Sequence, residues 1–102
     1  MKGMFDMMKK AQEVQKNLKL AQEKLNASEL EGRAAGGKVT VVMGGNFSVK
    51  SVKIDPALVD ADDVETLQDV LTVAVNDAVN KVRDLTETTM SAATGGLKLP
   101  GM

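Results

Sequence analysis

At 102 residues the chain has length for one domain and no room for a second core. It holds no Cys and no His, which excludes a disulfide framework, thiolate chemistry, the usual zinc ligands and the commonest general base. The net charge of −1 hides a division: residues 1–54 carry ten Lys/Arg against five Asp/Glu, whereas residues 55–102 carry three against nine.

Such a split fits either complementary helices packing side by side or a basic binding face. Hydrophobic residues make up 43% of the chain, but only Phe5 and Phe47 are aromatic, so the core must come from Val, Leu, Ala and Met. Met1 to Lys10 alternates Met with charge and lacks the apolar run of a signal peptide. No stretch approaches the roughly 18 apolar residues of a membrane span. A soluble, cytoplasmic protein is expected.

Met4, Met7, Ala11, Val14, Leu18, Ala21 and Leu25 recur at alternating steps of three and four, an a/d seam that predicts a helix over residues 1–26. From Met4 to Leu25 it would be about 33 Å long. Lys2, Lys9 and Lys16 stand seven residues apart on the far side, with Lys10 and Lys24 beside them. This basic stripe reads as a solvated face or as a binding face. Another reading is a membrane-surface helix, helped by Met4, Phe5, Met7 and Met8, but Leu18, Ala21 and Leu25 continue the narrow seam instead of widening into a lipid face.

Residues 28–54 read as a three-stranded antiparallel sheet. Glu29 to Arg33 alternates as an edge strand, with Glu29, Glu31 and Arg33 facing water. Gly36-Gly37 turns the chain into Val39, Val41 and Met43, which alternate with Lys38, Thr40 and Val42. Gly44-Gly45-Asn46 supplies residues that tolerate positive φ in a tight hairpin. The return strand, Ser48 to Ile54, is out of phase with itself: Phe47 and Val49 fall on one face, Val52 and Ile54 on the other. A bulge or an early turn end would reconcile them.

Asp55-Pro56 ends the sheet. The acids Asp60, Asp62, Asp63 and Glu65 invite a metal-site reading, but no Gly-containing calcium loop accompanies them. Asp62 followed by Glu65 resembles a capping box, so helix-start chemistry is the expectation. A second helix is predicted within residues 62–90; from about Asp63 to Met90 it would be about 42 Å long if unbroken. Its stripe is Val64, Leu67, Leu71, Ala74, Ala78, Val82 and Leu85, while Val70, Val73 and Val79 lie off that stripe. A helix apolar around most of its girth needs cover on most of it, which one sheet face would struggle to supply. A homodimer is therefore expected, with Leu18, Leu25, Leu67, Val70, Leu71 and Val75 as core or dimer candidates. Residues 91–102 read as a flexible tail.

No catalytic constellation emerges. Without His, a nucleophile would need Lys or a carboxylate as its base, and Gly36-Gly37-Lys38 precedes a strand, so it sets no helix N-terminus at a phosphate. Neither a cofactor, a metal nor a small-molecule substrate is called for. With no Trp or Tyr there is no aromatic platform for single-stranded bases, and no helix-turn-helix or zinc-finger pattern is present. Duplex binding would have to run through phosphates and shape.

With this element order in hand, the chain resembles the YbaB/EbfC family of bacterial nucleoid-associated proteins over nearly its whole length. The resemblance is carried by Val-Lys-Ser-Val-Lys-Ile-Asp-Pro at 49–56, Leu-x-Asp-Val-Leu at 67–71 and Asn76-Asp77-Ala78. The Met/Lys/Gln-rich first helix and the Gly-Gly-Leu-x-Leu-Pro-Gly tail add to it. It implies an α+β fold assembled as a tweezers-like homodimer with projecting helices. It also implies binding of double-stranded DNA with little sequence specificity, altering DNA conformation, and a role in nucleoid organisation or gene expression. Carried onto this sequence, it makes Lys2, Lys9, Lys10, Lys16, Lys81 and Arg83 the DNA-binding candidates. The alternative is a dimeric protein-interaction scaffold that does not meet DNA.

Overall fold

The computed structural model describes residues 2–95, without the side chain of Lys2; the 96–102 portion of the expected tail lies outside the described residues. A long helix α1 (Lys2–Ala27) leads into strands β1 (Glu29–Ala34), β2 (Val39–Gly44) and β3 (Val49–Ile54), and a second long helix α2 (Val64–Ala93) follows. The fold is α+β, in the order that periodicity predicts. α1 is rich in Met, Lys, Gln, Glu, Ala and Leu, all strong helix formers. It ends where the Ser28 hydroxyl turns back to donate to the Lys24 carbonyl at 2.7 Å.

The sheet order is β1-β2-β3, all antiparallel, so β2 is central and carries the core. Val39, Val41 and Met43 are buried on the face that meets α2, and on β1 Gly32 and Ala34 are buried. Glu29, Glu31 and Arg33 face water, as the alternation predicts. The phase problem in β3 is resolved by a bulge. Val42 pairs with Ser51 and Met43 with Val49, leaving Lys50 without a partner in the ladder. Val49, Val52 and Ile54 then share one face with Met43, Val41 and Val39.

The β2–β3 turn departs from expectation. Its positive φ falls on Phe47, not on Gly44, Gly45 or Asn46. Gly45 matters for packing instead. A Cβ there would lie 2.0 Å from the Leu25 carbonyl oxygen, so its lack of a side chain lets the end of α1 rest on the hairpin.

α2 starts one residue later than the capping-box reading places it. Asp63, not Asp62, is the N-cap; its carboxylate accepts from the Thr66 N–H at 3.3 Å and from the Thr66 hydroxyl at 2.7 Å. The helix also runs past Met90 to Ala93, because Ser91, Ala92 and Ala93 sustain it until Gly95 takes φ 65°. Ala74, Ala78 and Val82 are buried against the sheet, flanked by Val70, Leu71, Val75 and Val79. α2 packs chiefly on β1 and β2, and α1 packs on α2. Full burial of Val39, Val41, Val82 and Leu25 contributes about 1.5–3 kcal/mol each.

The seam of α1 divides in two. Ala21 and Leu25 are buried and Val14 and Leu18 half-buried, whereas residues 3–13 are exposed throughout. The molecule is correspondingly elongated, 73 × 21 × 17 Å.

Gly32 sets how closely helix and sheet approach. A Cβ there would fall 2.2 Å from the Ala74 carbonyl oxygen and 2.4 Å from the Ala78 nitrogen, both backbone atoms that cannot swing aside. Gly32→Ala should destabilise the fold by about 1–3 kcal/mol, which at about 4–8 °C per kcal/mol is readily seen in a thermal melt. Gly3→Ala, in open space on α1, should leave the melting temperature level or slightly higher.

Candidate nucleic-acid interface

The lysine-bearing face of α1 is an open basic surface among the described residues. Lys9, Lys10 and Lys16 are exposed, and none makes an ion pair or hydrogen bond with an acid. Lys19 and Lys24 extend the same basic helix and are likewise exposed. A heptad step along a helix is about 10.5 Å, so Lys9 and Lys16 present well-separated charges along one rod. A charged head on a flexible four-carbon stem suits a phosphate met as a point charge.

Lys81 and Arg83, the two candidates on α2, are placed differently. Lys81 Nζ donates to the Glu31 carbonyl at 2.8 Å and pairs with Asp77 at 3.2 Å. Asp77 Oδ2 in turn accepts the Arg33 backbone N–H at 2.9 Å. Side chains one helical turn apart thus occupy a backbone N–H and C=O along β1, an edge strand. Lys81 is committed to holding α2 on the sheet, a role that neither its position nor its charge signals in the sequence. Arg83 is exposed and reaches only Asn80 Oδ1, at 3.4 Å.

Sequence reasoning missed this latch. The Asp77–Lys81 spacing of four is visible, but its meaning depends on β1 lying alongside, which spacing does not reveal. Gly32, midway along an edge strand, is the signal that could have pointed to a backbone approaching there.

Of the core and dimer candidates, Leu25 is buried; Leu18, Leu67, Val70, Leu71 and Val75 are half-buried, the last three of α2 packing against the core. The acids Asp60, Asp62 and Asp63 belong to the turn and cap that start α2: Asp60 Oδ1 accepts the Asp62 N–H at 2.9 Å, and Asp63 caps the helix. Among the described residues no cluster of three or more acids could hold a metal ion, and no helix is long and apolar enough to cross a membrane.

A long helix, a three-stranded antiparallel sheet and a second long helix define a small α+β protein whose open basic surface lies on a helix. The model of the YbaB/EbfC DNA-binding family matches residues 1–97, and the chain belongs to that family. A nucleoid-associated protein of Chloroflexus aurantiacus is 49% identical over 92 residues, covering 90% of this chain and 92% of that one. Another, of Rhodospirillum rubrum, is 42% identical over 100 residues, covering 98% and 94%. The crystal structure of an uncharacterized Helicobacter pylori protein shares the fold, with a TM-score of 0.65 at 24% identity over 84% of each chain. The family is a DNA-binding one and not an enzyme family.

The latch has a pH signature. The Arg33 N–H, and after it the Lys81 ammonium, hold the Asp77 carboxyl below the usual carboxylate range. A group lowered on folding contributes stability above its unfolded pKa and loses it as pH falls through the folded one. Asp77→Asn keeps an acceptor for Arg33 but removes the charge. Its loss of stability relative to wild type should therefore be present at neutral pH and shrink below about pH 4 in denaturant melts.

Proposed function

We propose that the protein is a nucleoid-associated homodimer that binds double-stranded DNA with little sequence specificity, through the exposed lysines of α1. Acting in the nucleoid of the cytoplasm, it would alter DNA conformation and so affect nucleoid organisation or gene expression. The observation that carries this is the open basic face of α1, whose Lys9, Lys10 and Lys16 have no acidic partner among the described residues, in a chain of a DNA-binding family. Lys2 continues the same heptad series. Arg83 remains a secondary contact; Lys81, tied to Asp77 and Glu31, is the weakest of the candidates. A chain of net charge −1 binds a polyanion only by separating its charges, and the acids concentrated after residue 55 leave α1 free to do so.

The dimer reading rests on an uncovered apolar strip. The bulge puts Val49 and Val52 on the sheet face that buries Val41 and Met43, yet they are 51% and 45% exposed because α2 lies over β1 and β2. A second copy related by a two-fold axis could cover this strip and the half-buried Val75 and Val79.

Anisotropy of a labelled duplex across a salt series tests the DNA reading. If two arms together neutralise about four phosphates, log K falls against log salt with a slope near −3.6. Lys9→Glu/Lys10→Glu/Lys16→Glu should stay folded and dimeric yet weaken binding on the order of tenfold or more at low salt. No duplex binding at low salt would sink this reading and leave the interaction-scaffold alternative. Light scattering should give twice the 10.8 kDa chain mass, and Val52→Asp should shift it toward the monomer; a monomeric wild type at micromolar concentration defeats the dimer.

A further inference from the structure

The first turns of α1 carry an apolar surface that the basic stripe does not explain. Met4, Phe5, Met7 and Met8 are between 60% and 73% exposed, at the end of a helix whose burial begins only at Val14. Farther along, the apolar seam is narrow. At the tip it widens: at about 100° per residue, Phe5 and Met7 lie roughly 80° to either side of the line through Met4 and Met8. The tip therefore presents an apolar arc about 160° across, too wide for a two-helix seam.

Cations border this arc on both sides. Lys9 lies about 120° round the helix one way from its midline, and Lys10 about 140° round the other. Residues 2–12 hold Lys2, Lys9 and Lys10 against Asp6 as the one acid. Two such tips repel each other, which disfavours a second copy as the cover. The arrangement matches a polyanion with an apolar floor between charged rims: the bases of a duplex groove between two phosphate backbones.

We propose that the Met4–Met8 tip of α1 is an apolar wedge that presses into a duplex groove and partly unstacks a base step, with Lys9 and Lys10 reaching the phosphates on either rim. This deepens the DNA-binding reading and rests on it. The lysines supply affinity, while Phe5 and its methionine neighbours supply the deformation. Met suits this work because its unbranched thioether adapts to an irregular surface. Phe5 is the only aromatic side chain on the helix and can stack on an exposed base face. Unstacking on one side of a step bends the duplex away from the wedge.

Two variants test this in the 102-residue chain. The chain has no Trp, so Phe5→Trp places a single indole at the tip. At saturation with duplex its emission should be largely quenched by stacking, and an aminopurine base analogue in the duplex should brighten. The second variant, Met4→Gln/Phe5→Gln/Met7→Gln/Met8→Gln, should keep the wild-type salt slope while losing the aminopurine response. Unaltered indole emission on a saturated duplex overturns the wedge and leaves the lysine reading standing. So does an aminopurine response that survives the quadruple substitution. An indole blue shift on phosphatidylglycerol vesicles without quenching on duplex assigns the tip to a membrane surface and overturns the proposal. Absence of duplex binding by the wild type removes both readings together.

Discussion

Gly32 carries no side chain, and so α2 lies almost backbone to backbone on β1, the contact that sets how helix and sheet pack. The Ala74 carbonyl and the Ala78 nitrogen stand where a Cβ at residue 32 would be. At this separation Asp77 and Lys81, one helical turn apart, reach the Arg33 N–H and the Glu31 carbonyl. The latch occupies a backbone donor and an acceptor on a strand edge that would otherwise invite pairing with another chain. α2 is thereby drawn over β1 and β2, and away from β3.

The exposed apolar strip on β3 is a consequence of that offset. With α2 over β1 and β2, Val49 and Val52 keep an apolar face that the chain itself leaves largely open. At the other end, Gly45 lets the backbone at Leu25 rest on the β2–β3 hairpin, which fixes the root of α1. Beyond its buried root at Ala21 and Leu25, α1 has among the described residues only Val14 and Leu18 half-buried, and residues 3–13 stand in solvent with Lys9 and Lys10. Charge follows the same plan. Basic residues gather on α1 and the sheet, acidic ones on the second half, so a chain near neutrality presents a cationic rod.

The order and type of the elements were legible because each is marked by a strong period: steps of three and four in the helices, two in β1 and β2. Boundaries moved by a residue or so where side-chain chemistry decides them, as when Asp63 caps α2 in place of Asp62. What periodicity reports is a face, not what covers it. The heptad seam of α1 is unbroken from Met4 to Leu25, yet only its last residues are buried. Likewise the uneven phase of β3 revealed an irregularity without locating it; the bulge at Lys50 depends on pairing with β2. The basic stripe on α1 was readable from lysine spacing alone. That Lys81 serves the sheet edge was not, because the β1 backbone that the latch grips, at Glu31 and Arg33, lies about fifty residues away in the chain.

In the proposed reading, the sheet and α2 form a body that holds α1 out to meet DNA. An amide chemical-shift titration with a short duplex tests it most directly. The largest changes should fall on residues 3–19 of α1, with Thr40, Val42, Ser51 and Lys53 on the outer sheet face left unchanged. Shifts centred on those sheet residues, with α1 silent, would contradict it.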